Sequence, residues 1–170
     1  MAARSSAAGV LWRLARRSYA SDRTGIGARN DGGRWNWPGT AIIYAARSIS
    51  IAALEKFVHL AGVVPPDLVL VRVRLPDHHS SEEPDLEDLP SGWDIVPAGP
   101  NSMEFGSRWA RETRSLVLYV PSVLVREEVN AVLNPSHPEF TRVKFVIERE
   151  FHYDPRMSAR RTAGRARRSR

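Results

Sequence analysis

Apolar positions in this chain come in short runs broken by Gly, Pro, Asn and Arg, a pattern that predicts strands more often than helices. Gly9-Val10-Leu11-Trp12-Arg13-Leu14 reads as a first strand interrupted by one arginine. Residues 18–40 are rich in Gly, Asn, Asp and Arg and keep neither helical nor strand period, so they predict a long loop. Loops of that length in a compact domain are usually functional or disordered, and Trp35 and Trp37 argue for order. Residues 41–44 form a second strand. Ser48 then offers an N-cap, and Ile51, Leu54, Val58 and Ala61 follow at helical spacing up to Gly62. A third strand covers 67–75, where Val69, Val71 and Val73 alternate with Leu70, Arg72 and Arg74.

Residues 76–92 are Pro-, Ser- and acid-rich and predict a solvated connection. A short helix at 103–111 leads to a strand at 115–120, closed by Pro121-Ser122. Residues 127–133 read as one or two helical turns halted by Asn134-Pro135, and 143–151 as the last strand. Strands with two or three helices between them predict an α+β fold, a single compact domain with a mixed or antiparallel sheet.

A length of 170 residues fits one domain with its own core. The absence of cysteine excludes disulfides, thiolate nucleophiles, iron–sulfur clusters and Cys-ligated zinc. The net charge of +6 belongs to the ends. All 19 acidic residues lie between Asp22 and Asp154, where 14 basic residues leave the body at −5. A basic body surface for nucleic acid is therefore not expected. The seven arginines between Arg156 and Arg170 would give only salt-dependent, unspecific affinity. The acid-free start resembles a transit peptide in composition, but its residues 11–14 are needed as a strand. No run reaches the length of a membrane span, so the expected location is cytoplasmic.

Gly25-Ile26-Gly27 lacks the third glycine of a dinucleotide fingerprint, and no phosphate-loop Lys-Ser or Lys-Thr occurs. The five histidines lack metal spacing, and His78-His79 is expected on a solvated surface, so no metal is expected. Ser122 and His137 allow a hydrolase reading, although Ser122 has no nucleophile-elbow glycines. Arg13 in an apolar strand and Arg34 in a Gly-Gly-Arg-Trp-Asn loop need partners. Those are either Glu55 or backbone carbonyls, or the oxygens of a phosphate or pyrophosphate. Tyr44 is either a core aromatic with a satisfied hydroxyl or a ring face for a nicotinamide-like ring. Glu55, next to Leu54 and near Val58, is either a surface acid or a carboxylate facing a cleft, where it could steady an oxocarbenium ion.

Gly25-Ile26-Gly27-Ala28-Arg29, Gly32-Gly33-Arg34-Trp35-Asn36, Pro38-Gly39-Thr40, Ile43-Tyr44-Ala45-Ala46 and Leu54-Glu55 with His59-Leu60 together resemble the RES domain. Gly106, Trp109, Leu118, Val120-Pro121-Ser122, Asn130, Leu133-Asn134-Pro135, His137-Pro138, Phe140, Phe151, Asp154 and Arg156 continue the resemblance. It implies an N-terminal extension at 1–9, a RES domain at 10–156 and a disordered basic tail at 157–170. It implies a fold like that of ADP-ribosyltransferase toxins and the role of toxin in a type II toxin–antitoxin pair. The substrate would be NAD, cleaved at the nicotinamide–ribose bond with ADP-ribose passed to phosphate or water. The alternative is mono-ADP-ribosylation of a host metabolic protein. The implied partner is an antitoxin with an Xre-like region, through which alone nucleic acid would be met. By position, Arg13 and Arg34 would bind the NAD phosphates and ribose, and Tyr44 would pack on the nicotinamide end. Glu55 would be the acid at the scissile bond and Ser122 the family's serine, with Ser102 the competing position. Asn134 is read as a turn.

Overall fold

The computed structural model describes residues 4–6, 9–60 and 63–157. In chain order the strands are β1 (Arg4–Ser6), β2 (Val10–Arg16), β3 (Ile43–Ala46), β4 (Leu68–Arg74), β5 (His79–Glu82), β6 (Val117–Pro121), β7 (Val129–Leu133) and β8 (Lys144–Glu150). The α-helices are α1 (Ile26–Asp31), α2 (Ile49–His59) and α3 (Pro100–Arg111). One mixed sheet of eight strands runs β1-β5-β6-β7-β3-β2-β4-β8, with β5 and β6 parallel and every other pair antiparallel. The fold is α+β.

The sheet is bent on itself. Strands β4 and β6 are four steps apart in the order, about 19 Å if the sheet were flat. Yet Leu11, Val69, Val71 and Val73 share one apolar cluster with Val117, Tyr119, Ala131 and Leu133. The bend falls between β2 and β3, which meet at a single paired position among the described residues, Trp12 opposite Ala46. By alternation, Leu11, Ala45 and Val71 face the inside of the bend. Trp12, Leu14, Tyr44, Ala46 and Leu70 face outward. Helix α2 covers the outer face through Ile51 and Ala52 against Leu14, Ala46 and Leu70. Helix α3 covers it through Trp109 and Ala110 against Leu118, Val120 and Val132. No described helix is long and apolar enough to cross a membrane.

Four expectations change. Residues 76–92 are not one solvated connection, because 79–82 form β5, an inner strand between β1 and β6. His79 is fully buried there rather than on a solvated surface. Its polar neighbours are absorbed by specific partners: Glu82 pairs with Arg114 and Ser80 bonds Glu139. Residues 127–133 are not helical turns but β7, which exchanges ladder bonds with β3 and β6 on both edges. Finally, the 18–40 loop contains the one-and-a-half-turn helix α1. The basic tail from residue 158 and Ala61-Gly62 at the expected helix end lie outside the described residues.

Candidate functional site

Helix α2 begins where expected. The Ser48 Oγ accepts from Ile51 N at 3.2 Å and caps the first turn. The same hydroxyl donates to Glu128 Oε2 at 3.2 Å, which ties the helix start to the β6–β7 connection. From that anchor the buried stripe is Ile51 and Ala52, whereas Val58 is exposed. Glu55 lies three and four residues beyond this pair, so it points toward the sheet rather than to solvent. Tyr153 holds the helix from the other side, donating to Ala53 O at 2.6 Å. Burial pushes its hydroxyl up to about 12.

Over the sheet, one oxygen of Glu55 is held twice. Oε1 accepts from Ser122 Oγ at 2.8 Å and from Asn130 Nδ2 at 2.6 Å. Both bonds are charge-assisted. Oε2 accepts no hydrogen bond from the described residues. Ser122 is fully buried, and its Oγ also accepts from Leu124 N (3.1 Å) and Val125 N (3.3 Å). Its proton is therefore committed to Glu55 and its lone pairs to the loop backbone, and it is not a free nucleophile. On Asn130 the other amide atom, Oδ1, is buried without a partner. Such an orphan costs free energy unless something binds it.

Tyr44 and Arg34 form a second group one step along the same face. Tyr44 pairs with Val132 and Ala46 with Asn130, so Tyr44 and Asn130 are diagonal neighbours on the outer side of the ladder. The Tyr44 hydroxyl accepts from Trp35 N at 3.0 Å and donates to Asn36 Oδ1 at 2.9 Å. Burial pushes it well up. Gly33 packs so closely on this hydroxyl that a Cβ would collide with it, and a Cβ at Gly106 on α3 would meet the Trp35 carbonyl. Tyr44 thus offers a ligand only its ring. Arg34 Nη1 donates to the carbonyls of Trp93 and Ile95, both at 2.8 Å, which fixes the 93–95 segment. Asp94 in turn pairs with Arg126 at 2.6 Å. The Arg34 group and the loop carrying Ser122 therefore share one rim.

Arg13 follows the single β2–β3 rung, at the point where the two strands part. Its Nη1 is buried without a hydrogen-bond partner, and burial pulls the guanidinium down against the opposing charge of Asp22. It does not pair with Glu55. Alternation and its pairing with Val71 place it on the inner side of the sheet, so only the gap between β2 and β3 connects it with the Glu55 side. Ser102, the competing serine, is buried in α3, where it donates to Gly99 O. Asn134 is a turn residue: Oδ1 accepts from Ser136 N and Nδ2 donates to Ala110 O. His137 bonds Ser80 and Glu139, not Ser122, which removes the hydrolase reading. Among the described residues no group of three or more His, Asp or Glu could hold a metal ion. The contributions of Asn130, Glu128 and Asp94 to the site were not anticipated. The visible signal for Asn130 was an amide within Val129-Asn130-Ala131-Val132-Leu133, an otherwise apolar segment.

The Glu55 carboxylate, with one oxygen clamped and the other free, thus lies beside an orphan acceptor and an arginine rim. The RES domain family model matches residues 10–154, and the chain belongs to that family. It is 47% identical over 153 residues to the Prs ADP-ribosylating toxin of Sphingobium sp. (strain YBL2), covering 86% of this chain and 95% of that protein. It is 39% identical over 152 residues to Toxin Res of Yersinia enterocolitica, covering 87% and 99%. The fold is similar to that in the crystal structure of the M. tuberculosis MbcT-MbcA toxin-antitoxin complex. The TM-score is 0.65 at 16% identity, covering 85% of this chain and 84% of that one.

Proposed function

We propose that this chain is the toxin of a type II toxin–antitoxin pair and that it cleaves NAD at the nicotinamide–ribose bond, passing ADP-ribose to phosphate or water. The observation that carries this reading is the Glu55 carboxylate, held at Oε1 by Ser122 and Asn130 with Oε2 left free. When the bond from the ribose anomeric carbon to the nicotinamide nitrogen breaks, its electron pair neutralises the pyridinium and positive charge develops on the ribose. A preorganised carboxylate stabilises that charge without reorganising. The acceptor oxygen then bonds to the anomeric carbon, water releasing a proton to solvent and phosphate attacking through an anionic oxygen. Arg13 Nη1 and the nitrogens of Arg34 not used on Trp93 and Ile95 supply donors for the pyrophosphate, and the Tyr44 ring supports the nicotinamide.

A second reading, mono-ADP-ribosylation of a host metabolic protein, is favoured by the name of the Sphingobium relative. The partner in either case is a cognate antitoxin, which the complex formed by the solved neighbour supports, and its Xre-like region is what the family resemblance implies. Proton NMR of NAD with the purified chain, with and without phosphate, separates the readings. Nicotinamide released by the wild type, and about 10²–10³ times more slowly by Glu55→Gln, is the expected result. Phosphate dependence distinguishes phosphorolysis from hydrolysis. Intact NAD in both buffers, with label from NAD transferred to cell proteins, would replace cleavage by the second reading.

A further inference from the structure

Val10, Arg74 and Lys144 stand side by side on β2, β4 and β8, and Arg74 is directly opposite Lys144. Like charges facing each other across an antiparallel pair are destabilising. The same sheet treats its other arginines differently. Arg72, two residues earlier on β4, has Glu148 of β8 at 2.8 Å, and Arg16 of β2 has Asp67 at 3.0 Å. Beside Arg74 and Lys144 the chain places a third cation, Arg142, and the three line a cavity of about 270 Å³ next to Gly9 and Pro76. The only acid in that lining is Asp77. None of the three cations has an ion pair within 4.0 Å among the described residues. Glu139 lies within the field of Arg142, but its Oε2 is occupied by the Ser80 N–H at 2.8 Å and hydroxyl at 2.9 Å.

We propose that this cavity is an anion site for a phosphate group, carried by inorganic phosphate or by a small phosphomonoester. Three cations against Asp77 in the lining and Glu139 within the field of Arg142 leave net positive charge, which a phosphate anion neutralises. Two guanidinium forks suit tetrahedral oxygens, and Lys144 adds a point charge. The volume lies just under that of pockets for drug-sized ligands and has room for a small phosphorylated molecule. The repulsion between Arg74 and Lys144 persists while the cavity is empty and is relieved when it is filled, so binding stabilises the fold. The cavity shares no residue with the Glu55 site, so the two proposals stand or fall separately.

The test is a titration of the ¹⁵N-labelled full chain with inorganic phosphate and with glycerol phosphate, against potassium chloride at matched ionic strength. The expected result is saturable shifts of the Val10, Leu75, Asp77 and Lys144 amides with phosphate and not with chloride, lost in Arg74→Gln/Lys144→Gln. Both replaced side chains are exposed, and in phosphate-free buffer this double variant should melt about 1–2 °C above the wild type, because the repulsion is gone. Arg142→Gln alone should weaken binding several-fold. Tighter binding of glycerol phosphate assigns the site to phosphomonoesters, and equal binding assigns it to free phosphate. Shifts that do not saturate, that match chloride, or that persist in the double variant overturn the proposal.

Discussion

Two asparagines sit beneath the outer helices and do opposite things. The Asn36 amide is complete: Nδ2 donates to the carbonyls of Ala28, Trp37 and Thr40, and Oδ1 accepts from Tyr44. Asn130 is incomplete: Nδ2 is spent on Glu55, and Oδ1 is buried with nothing bound. The first is a fastener that turns a glycine-rich loop into a fixed wall. The second keeps an unmet bond beside a carboxylate, which is what a ligand-binding position has to offer. Asn36 is fully buried and Asn130 only partly so, but what sets their roles apart is the completeness of their hydrogen bonding.

Removing the fastener should have the largest effect on the fold. Asn36→Ala strands the Thr40 carbonyl and the Tyr44 hydroxyl proton and takes one of two bonds from the Ala28 and Trp37 carbonyls, and should lower stability by about 2–4 kcal/mol in urea unfolding. NAD turnover should fall only in step with the unfolded fraction; a native midpoint with lost turnover would break the comparison. Asn130→Ala removes an orphan along with one bond, so its stability should change by less than about 1 kcal/mol. Its turnover should drop about tenfold, kcat falling because Glu55 loses one of its two anchors and KM rising because the free Oδ1 acceptor is gone.

The smallest effect is expected in a third polar group, Ser80–His137–Glu139. Burial lowers His137 below its ordinary 6.5, against the opposing charge of Glu139. The folded chain therefore resists a proton that the unfolded chain accepts, and stability should decline as pH falls below about 6.5. Burial pushes Glu139 up, but bonds from Ser80 outweigh it and hold the carboxyl below its ordinary value of 4.5. Its contribution is present above that value and is lost only under stronger acid. His137→Gln should flatten the urea midpoint between pH 7 and pH 5 while leaving the more acid limb in place.

Much of this site is legible from residues alone, though not always for the reason that made it so. Glu55 was read from the neighbouring Leu54 and Val58, but it reaches the sheet because it follows Ile51 and Ala52. Arg13 announced itself as a charge within a strand, and its unpartnered Nη1 agrees with that. Strand β7 was hidden because Glu127-Glu128 followed by Val129, Val132 and Leu133 imitates a helix start. Only ladders from β3 and β6 on both edges make it a strand. Strand β5 was hidden because His79-Ser80-Ser81-Glu82 has no apolar face. It is buried by partners distant in sequence, Arg114 and Glu139, which no local pattern contains. Tyr44 remained open between core and ligand, and the bonds to Trp35 and Asn36 settle the fate of its hydroxyl alone.

The clamp on Glu55 also has a consequence in time. Glu55 belongs to the first third of the chain, but the groups that orient it, Ser122 and Asn130, arrive 67 and 75 residues later. Such distant contacts form late, after the intervening chain has been made. A nascent polypeptide that has produced only its first hundred residues carries the acid without its anchors. For an enzyme of the proposed kind, this delay keeps the growing chain inert on the ribosome until nearly the whole domain has emerged.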